Sequence, residues 1–204
     1  MQIQPAAALG DAARAPMGVI FAVGFYQWLR YFSKDVDRLA GACAHMFELE
    51  AFRLAVDDGG AVIGMAACTD GRTPAVRIDP AAMRRHLGLA RGAVAAKVLR
   101  ENLEDHPYPF ELKPGCGSIE FVATAAESRG QGVATEVLSH IMANAGYDSY
   151  VLEVADTNTT AVRVYERLGF REIHRVPAPN PKRSGINHLL YLEADRPSHP
   201  PGPR

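Results

Sequence analysis

The sequence predicts an α/β domain built on a mixed sheet, and three observations predict it. Two apolar runs, residues 118–124 and 150–155, flank one amphipathic helical stretch, and a single short crossover makes the pair parallel. Two further apolar runs, residues 52–56 and 61–68, meet at Asp57-Asp58-Gly59-Gly60, an acidic glycine-rich turn that reads as a β-hairpin. Much of the remaining chain carries apolar residues at helical spacing.

Composition supports one packed domain. The chain has 204 residues, 48% hydrophobic and 22% charged, enough to bury a core without disulfide or metal staples. Disordered, collagen-like and coiled-coil classes are excluded. Lys+Arg is 22 against Asp+Glu 23, a net charge of −1, so the basic signature of a nucleic-acid binder is missing. Cys43, Cys68 and Cys116 form no C-x-x-C pair and fit reduced thiols in a cytoplasm. The apolar run at residues 17–26 is too short for a membrane span. Before it, Arg14 is offset by Asp11, so no secretory signal is expected.

The elements follow in order. Residues 1–15, rich in Ala, Gln and Pro, read as a flexible lead-in. Residues 18–47 read as helical: Phe21, Phe25, Trp28 and Leu29 share a spacing, and a second helix follows Ser33 as its cap. After the hairpin, residues 80–105 return to helix, with Pro80 at the start and a break at Gly88. Residues 129–145 form a helix with Val133, Val137, Leu138, Ile141 and Met142 on one stripe, ended by Gly146. Residues 158–168 form another, closed by Gly169. Strands at residues 171–176 and 188–193 finish the domain, which spans 16–195. Residues 196–204, Arg-Pro-Ser-His-Pro-Pro-Gly-Pro-Arg, read as a disordered tail.

The chemistry concentrates at Arg129-Gly130-Gln131-Gly132-Val133-Ala134, which follows a strand and opens a helix. Glycines there let backbone amides face outward, and the helix N-terminus adds the positive end of its dipole. A P-loop ending is missing, and Thr135 stands where a Rossmann fingerprint needs its third small residue. Taken alone, the segment could equally be a tight strand-to-helix turn.

A second motif resolves that ambiguity. Asn158, Ala161, Tyr165, Gly169 and Phe170 follow the strand ending Leu152-Glu153-Val154. With Arg129, Gly132 and Ala134, this pattern resembles the GNAT superfamily of acyl-CoA-dependent N-acyltransferases. The resemblance covers residues 118–176 strongly and 47–70 loosely. It implies a mixed, splayed central sheet flanked by helices, and a single acyltransferase domain over 16–195 with 118–176 as the acetyl-CoA-binding core. The chain departs from the pattern in one respect. The stretch from Thr69 to Gly117 is far longer than an ordinary hairpin loop and reads as a helical insertion before the central strand.

The resemblance also implies roles. Acetyl-CoA is the acyl donor and a primary amine the acceptor. Backbone groups of Arg129, Gly130, Gln131, Gly132, Val133 and Ala134 would cradle the pyrophosphate. Those of Phe121, Val122, Ala123 and Thr124 would run beside the pantetheine and polarise the thioester. Asn158 would contact the cofactor arm while also serving as a helix cap. Tyr165 is the candidate acid for the departing thiolate; its plain alternative is a core tyrosine. Glu153, twelve positions before Tyr165, is the first candidate base and Glu120 the competitor; the plain alternative for each is a solvated strand carboxylate. Glu127 serves the helix dipole.

Other chemistry is not expected. The seven histidines show no metal-ligand spacing, so no metal is expected, and no G-x-S-x-G elbow occurs. Cys116, between two glycines, has room to be exposed, but free thiols are usually inert and nothing in the sequence marks it as reactive. Phe21, Phe25, Tyr26 and Trp28 read as core. The expected partners are a small-molecule or peptide amine, with neither nucleic acid nor membrane, and similar proteins often form homodimers. Two other classes compete: a non-catalytic acyl-CoA-binding module, and a protein-interaction module on the same scaffold.

Overall fold

In the computed structural model, described over residues 1–105, 107–179 and 181–197, seven strands form one sheet. They are β1 (Gln2–Pro5), β2 (Phe52–Val56), β3 (Val62–Thr69), β4 (Cys116–Thr124), β5 (Ser149–Ala155), β6 (Arg171–Pro177) and β7 (His188–Asp195). Their order is β1-β2-β3-β4-β5-β7-β6, and β4 with β5 is parallel as the crossover requires. The β2–β3 hairpin closes where expected. Asp57 Oδ1 accepts from the amides of Gly59 (2.9 Å) and Ala61 (2.8 Å), and Gly60 takes the left-handed conformation at φ 85°.

Helices cover both faces. On one lie α1 (Ala6–Leu9), α2 (Arg14–Gly24), α3 (Tyr26–Leu29), α4 (Val36–Cys43), α5 (Pro80–Leu87) and α6 (Leu89–Leu99). Their Met17, Phe21, Leu39 and Met83 pack with Phe52, Leu54, Met65 and Ala67 of the sheet. On the other face lie α7 (Val133–Asn144) and α8 (Thr159–Arg167). Val137, Leu138, Ile141 and Tyr165 pack there with Ile119, Tyr150, Leu152 and Leu192. A short α9 (Pro181–Ser184) lies between β6 and β7.

The insertion is helical as expected. Asp79 caps α5, accepting from the Ala81 amide at 2.8 Å, with Pro80 in the first turn. Gly88, at φ 86°, makes the break before α6. Gly92 lets the two helices touch, because a Cβ there would lie 2.5 Å from the Arg84 Cα.

The structure departs from the sequence reading in several places. Residues 1–15 are built into the domain: Gln2–Pro5 pairs with β2, and Ala6 and Ala13 are wholly buried. Their alanines allow close packing, which composition alone presents as looseness. The helical run Ala6–Gly24 is longer than the apolar run read from sequence, and by length and composition it could cross a membrane. Here it follows a sheet strand and sends Met17, Ile20 and Phe21 into the core, as the central helix of a globular domain does. The cap of α4 is Asp35, accepting from the Arg38 amide at 3.1 Å. Ser33 instead accepts from the Asp35 amide one step earlier. The helix expected over 129–145 starts at Val133, because Gly130 and Gly132 are left-handed. Trp28 is exposed rather than core, and Cys116 is buried rather than exposed. In the expected tail, Arg196 donates its amide to Asp148 O at 2.8 Å; residues 198–204 lie outside the described residues.

Candidate active site

The site starts from a strand pair that comes apart. β4 and β5 pair from Cys116↔Ser149 to Ile119↔Leu152 and no further, although β4 continues to Thr124 and β5 to Ala155. From Glu120 onward, β5 therefore offers β4 no ladder partner. On its other side β4 carries a bulge. Glu120 and Ala123 pair with Ala67 and Met65, so three steps of β4 face two of β3. Phe121 adopts φ 54° within it, the one non-glycine residue with positive φ among the described residues. A side chain tolerates that conformation poorly, so the packing of Phe121 against Phe21 and Phe52 must hold it. Backbone groups at Phe121, Val122, Ala123 and Thr124 thus border an opening in the sheet.

The glycine turn stands at the end of the same strand. Gly130 (φ 75°) and Gly132 (φ 82°) bracket Gln131, and a Cβ at either glycine would meet nothing within 4 Å. The outer side of the turn is open space. Gly132 is the N-cap of α7 and has no side chain to spend on the first amides of the helix, including those of Val133 and Ala134. Gly64 of β3 sits close beneath, since a Cβ there would come 2.5 Å from Val133 Cγ1. Arg129 folds back, its Nε donating to Thr124 O at 3.4 Å, and Gln131 Nε2 donates to Glu127 O at 3.0 Å. This turn fits a pyrophosphate: amides at a positive helix end, with no side chain in the way.

The two carboxylates stand on one face of the opening. Glu120 and Glu153 each follow the last β4–β5 pair, on neighbouring strands. Glu120 is half-buried, and its Oε1 accepts from Ser118 Oγ (2.8 Å) and Thr69 Oγ1 (3.2 Å). Glu153 is exposed, and its Oε2 accepts from Tyr191 Oη at 2.6 Å. Tyr165 belongs to the opposite face, in the core with Leu152 and Val154, its ring edge-on to Phe170 at 6.1 Å. Burial pushes its phenol up to about 12. Its hydroxyl makes no hydrogen bond among the described residues. Asn158 caps α8, its Oδ1 accepting from the Ala161 amide at 3.2 Å. The thiols of Cys43 and Cys68 are pushed up to about 12 by burial, and that of Cys116 is also raised, so none is a ready nucleophile. No group of three metal-ligating side chains occurs among the described residues.

Sequence reasoning missed what covers the carboxylate face. The last part of the insertion crosses it, bringing Tyr108 and Phe110 against Tyr191, and Lys113 to Glu193 at 2.8 Å. Tyr108 Oη lies 2.6 Å from Ser118 Oγ. The alternation of β7 could have placed Tyr191 on this face, but its register against Glu153 needs the paired sheet.

The likenesses to known proteins agree with this geometry. A family model described as the acetyltransferase (GNAT) family matches residues 24–170. N-alpha-acetyltransferase 30 of Schizosaccharomyces pombe is 40% identical over 63 residues, 29% of this chain and 42% of that protein. An uncharacterised Mycobacterium leprae protein is 30% identical over 89 residues, 44% of this chain and 23% of its own. This chain thus spans less than half the length of either relative. Among solved structures, a histone acetyltransferase HPA2 and related acetyltransferase from Corynebacterium glutamicum superposes with a TM-score of 0.62 at 20% identity, covering 97% of both chains. An N-acetyltransferase from Staphylococcus aureus superposes with a TM-score of 0.59 at 18% identity, covering 95% of this chain and all of that one.

Proposed function

This chain belongs to the GNAT acetyltransferase family, and on that premise we propose that it moves an acetyl group from acetyl-CoA directly to a primary amine. The observation that carries the reading is the parting of β4 from β5 after Ile119↔Leu152, with the glycine turn at the end of β4. Bound in that opening, acetyl-CoA would supply the activated acetyl thioester. The amides of residues 129–134 hold its pyrophosphate, and Asn158, the cap of the helix that follows β5, contacts the cofactor arm. The bulged backbone at residues 121–124 orients the arm and polarises the thioester carbonyl.

Glu153 takes the proton from the acceptor ammonium, directly or through water, because it is the more exposed of the two carboxylates. Glu120 is the competitor; its Oε1 is already engaged by two hydroxyls. Tyr165, approaching from the other face and kept protonated by burial, gives its proton to the departing thiolate. The acceptor is a small-molecule or peptide amine, and the proposed setting is the cytoplasm, which suits three free cysteines.

The test is CoA release from acetyl-CoA with a panel of amines. The name of the yeast relative puts a peptide with a free α-amine first, followed by an Nα-blocked lysine peptide, a polyamine and free amino acids. Transfer to one class, confirmed by mass, is expected. In Glu153→Gln the acid limb of the pH–rate profile disappears. Tight acetyl-CoA binding with no transfer to any amine would favour the non-catalytic binding module instead.

A further inference from the structure

Glu153 and Tyr191 are directly opposed on β5 and β7, and the Tyr191 hydroxyl donates to Glu153 Oε2 at 2.6 Å. The two residues differ sharply in environment. Glu153 is exposed, while Tyr191 is 2% exposed. An exposed glutamate ordinarily samples several rotamers. Here one oxygen is tied to a phenol that cannot itself move.

What fixes the phenol is a set of rings. Phe110 meets Tyr191 edge-on at 5.4 Å and 88°, and Tyr108 does so at 5.8 Å and 62°. His174 of β6 lies at 6.1 Å from Tyr191 and itself packs on Phe110 at 5.4 Å. Two of the three rings come from the insertion, which is anchored through Tyr108 to Ser118 and through Lys113 to Glu193.

Burial first, and then the bond to Glu153, raise the Tyr191 phenol well above its usual range, so it remains a donor at every working pH. Among the described residues, Tyr108 acts on Tyr191, Glu120 and Cys116 act on Tyr108, and the His174 ring lies against Tyr191. Tyr108 is likewise raised by burial.

We propose that Tyr191 is the positioning residue for the Glu153 base, and that Tyr108 and Phe110 of the insertion lock it in place. The inference rests on Glu153 being the base. A donor held against one carboxylate oxygen restricts the rotamers of the side chain and so sets where the carboxylate stands. The insertion is thereby part of the catalytic apparatus as well as a wall of the acceptor site.

The test is Tyr191→Phe, which keeps the ring and removes only the hydroxyl. Two readouts are taken. In protein carrying carbon-13 glutamate carboxyls, the Glu153 resonance is identified by its loss in Glu153→Gln. At neutral pH its chemical shift changes in Tyr191→Phe, because the hydrogen bond to that carboxylate is gone. With the amine found by the panel, kcat falls about tenfold while KM for acetyl-CoA holds. Phe110→Ala gives a smaller change in the same direction, and Tyr191→Phe adds nothing in a Glu153→Gln background. A Glu153 resonance at the same chemical shift in wild type and Tyr191→Phe overturns the proposal. A Glu153→Gln enzyme that keeps its turnover and acid limb overturns the base assignment beneath it, whatever the resonance does.

Discussion

Replacing Gly132 by alanine separates the cost of a strained backbone from the loss of a binding site. Gly132 sits at φ 82° and ψ 2°, and an added Cβ meets nothing within 4 Å. The folded protein therefore loses only the left-handed penalty, about 1–2 kcal/mol for an alanine. In a domain of this size each kcal/mol lowers Tm by about 2–4 °C, so Tm falls by about 2–8 °C. Gly146 is the matched control, at φ 85° with the same empty surroundings. It lies beyond the opposite end of α7, about 18 Å away along a helix of 12 residues. Gly146→Ala should show the same drop. The two variants part company when acetyl-CoA is added. At about a hundred times its dissociation constant, a ligand stabilises by about 2.7 kcal/mol, or about 5–11 °C here. Wild type and Gly146→Ala keep that increment in a thermal-shift titration. Gly132→Ala loses most of it, because the new methyl occupies the side on which the pyrophosphate would lie. Equal increments in the two variants would refute the cradle.

Tyr165→Phe removes a hydroxyl that has no partner among the described residues, so Tm stays within about 2 °C and the acetyl-CoA shift is retained. Turnover falls at least about tenfold if Tyr165 is the acid, and is unchanged if it is only a core ring. His45 accepts from the Asp79 amide at 2.9 Å through Nε2, and burial holds its ring below the usual histidine value. Asp79, Arg14 and His86 are the charged or titratable groups that act on it. The unfolded chain binds this proton first, so stability is present above about pH 6.5 and declines as pH falls through the lowered folded value. Urea melts should show that slope in wild type and a flatter one in His45→Gln. Gly92→Val drives a side chain into the Arg84 backbone and should lower stability by about 1–3 kcal/mol in urea, while leaving acetyl-CoA affinity intact.

The parts of the fold that were legible in the sequence are those governed by local pattern. The glycine turn, the stripe of α7 and the Asn158-to-Phe170 motif each sit on consecutive residues, so their elements could be placed to within a few positions. The first strand could not. Gln-Ile-Gln-Pro has little strand character, and it is a strand because β2 offers it an edge. The cap of α4 was read two residues early, at Ser33, because Ser is as good a cap by type as the Asp35 that takes the role. The carboxylate site was half legible. Glu120, Glu153 and Tyr165 stood out by type and motif, but the tyrosine that grips Glu153 is 38 positions away in sequence. Only sheet register brings the two together. Tyr108 and Phe110 were hidden in an insertion with no family pattern to read.

The most direct test of the account is amide hydrogen exchange on the wild-type protein with and without acetyl-CoA. Slowed exchange is expected at residues 121–124 and at 130–134, with α5 and α6 unchanged. Protection confined to the groove lined by Val162, Phe170 and Leu190, or protection nowhere in β4 and the start of α7, would contradict it.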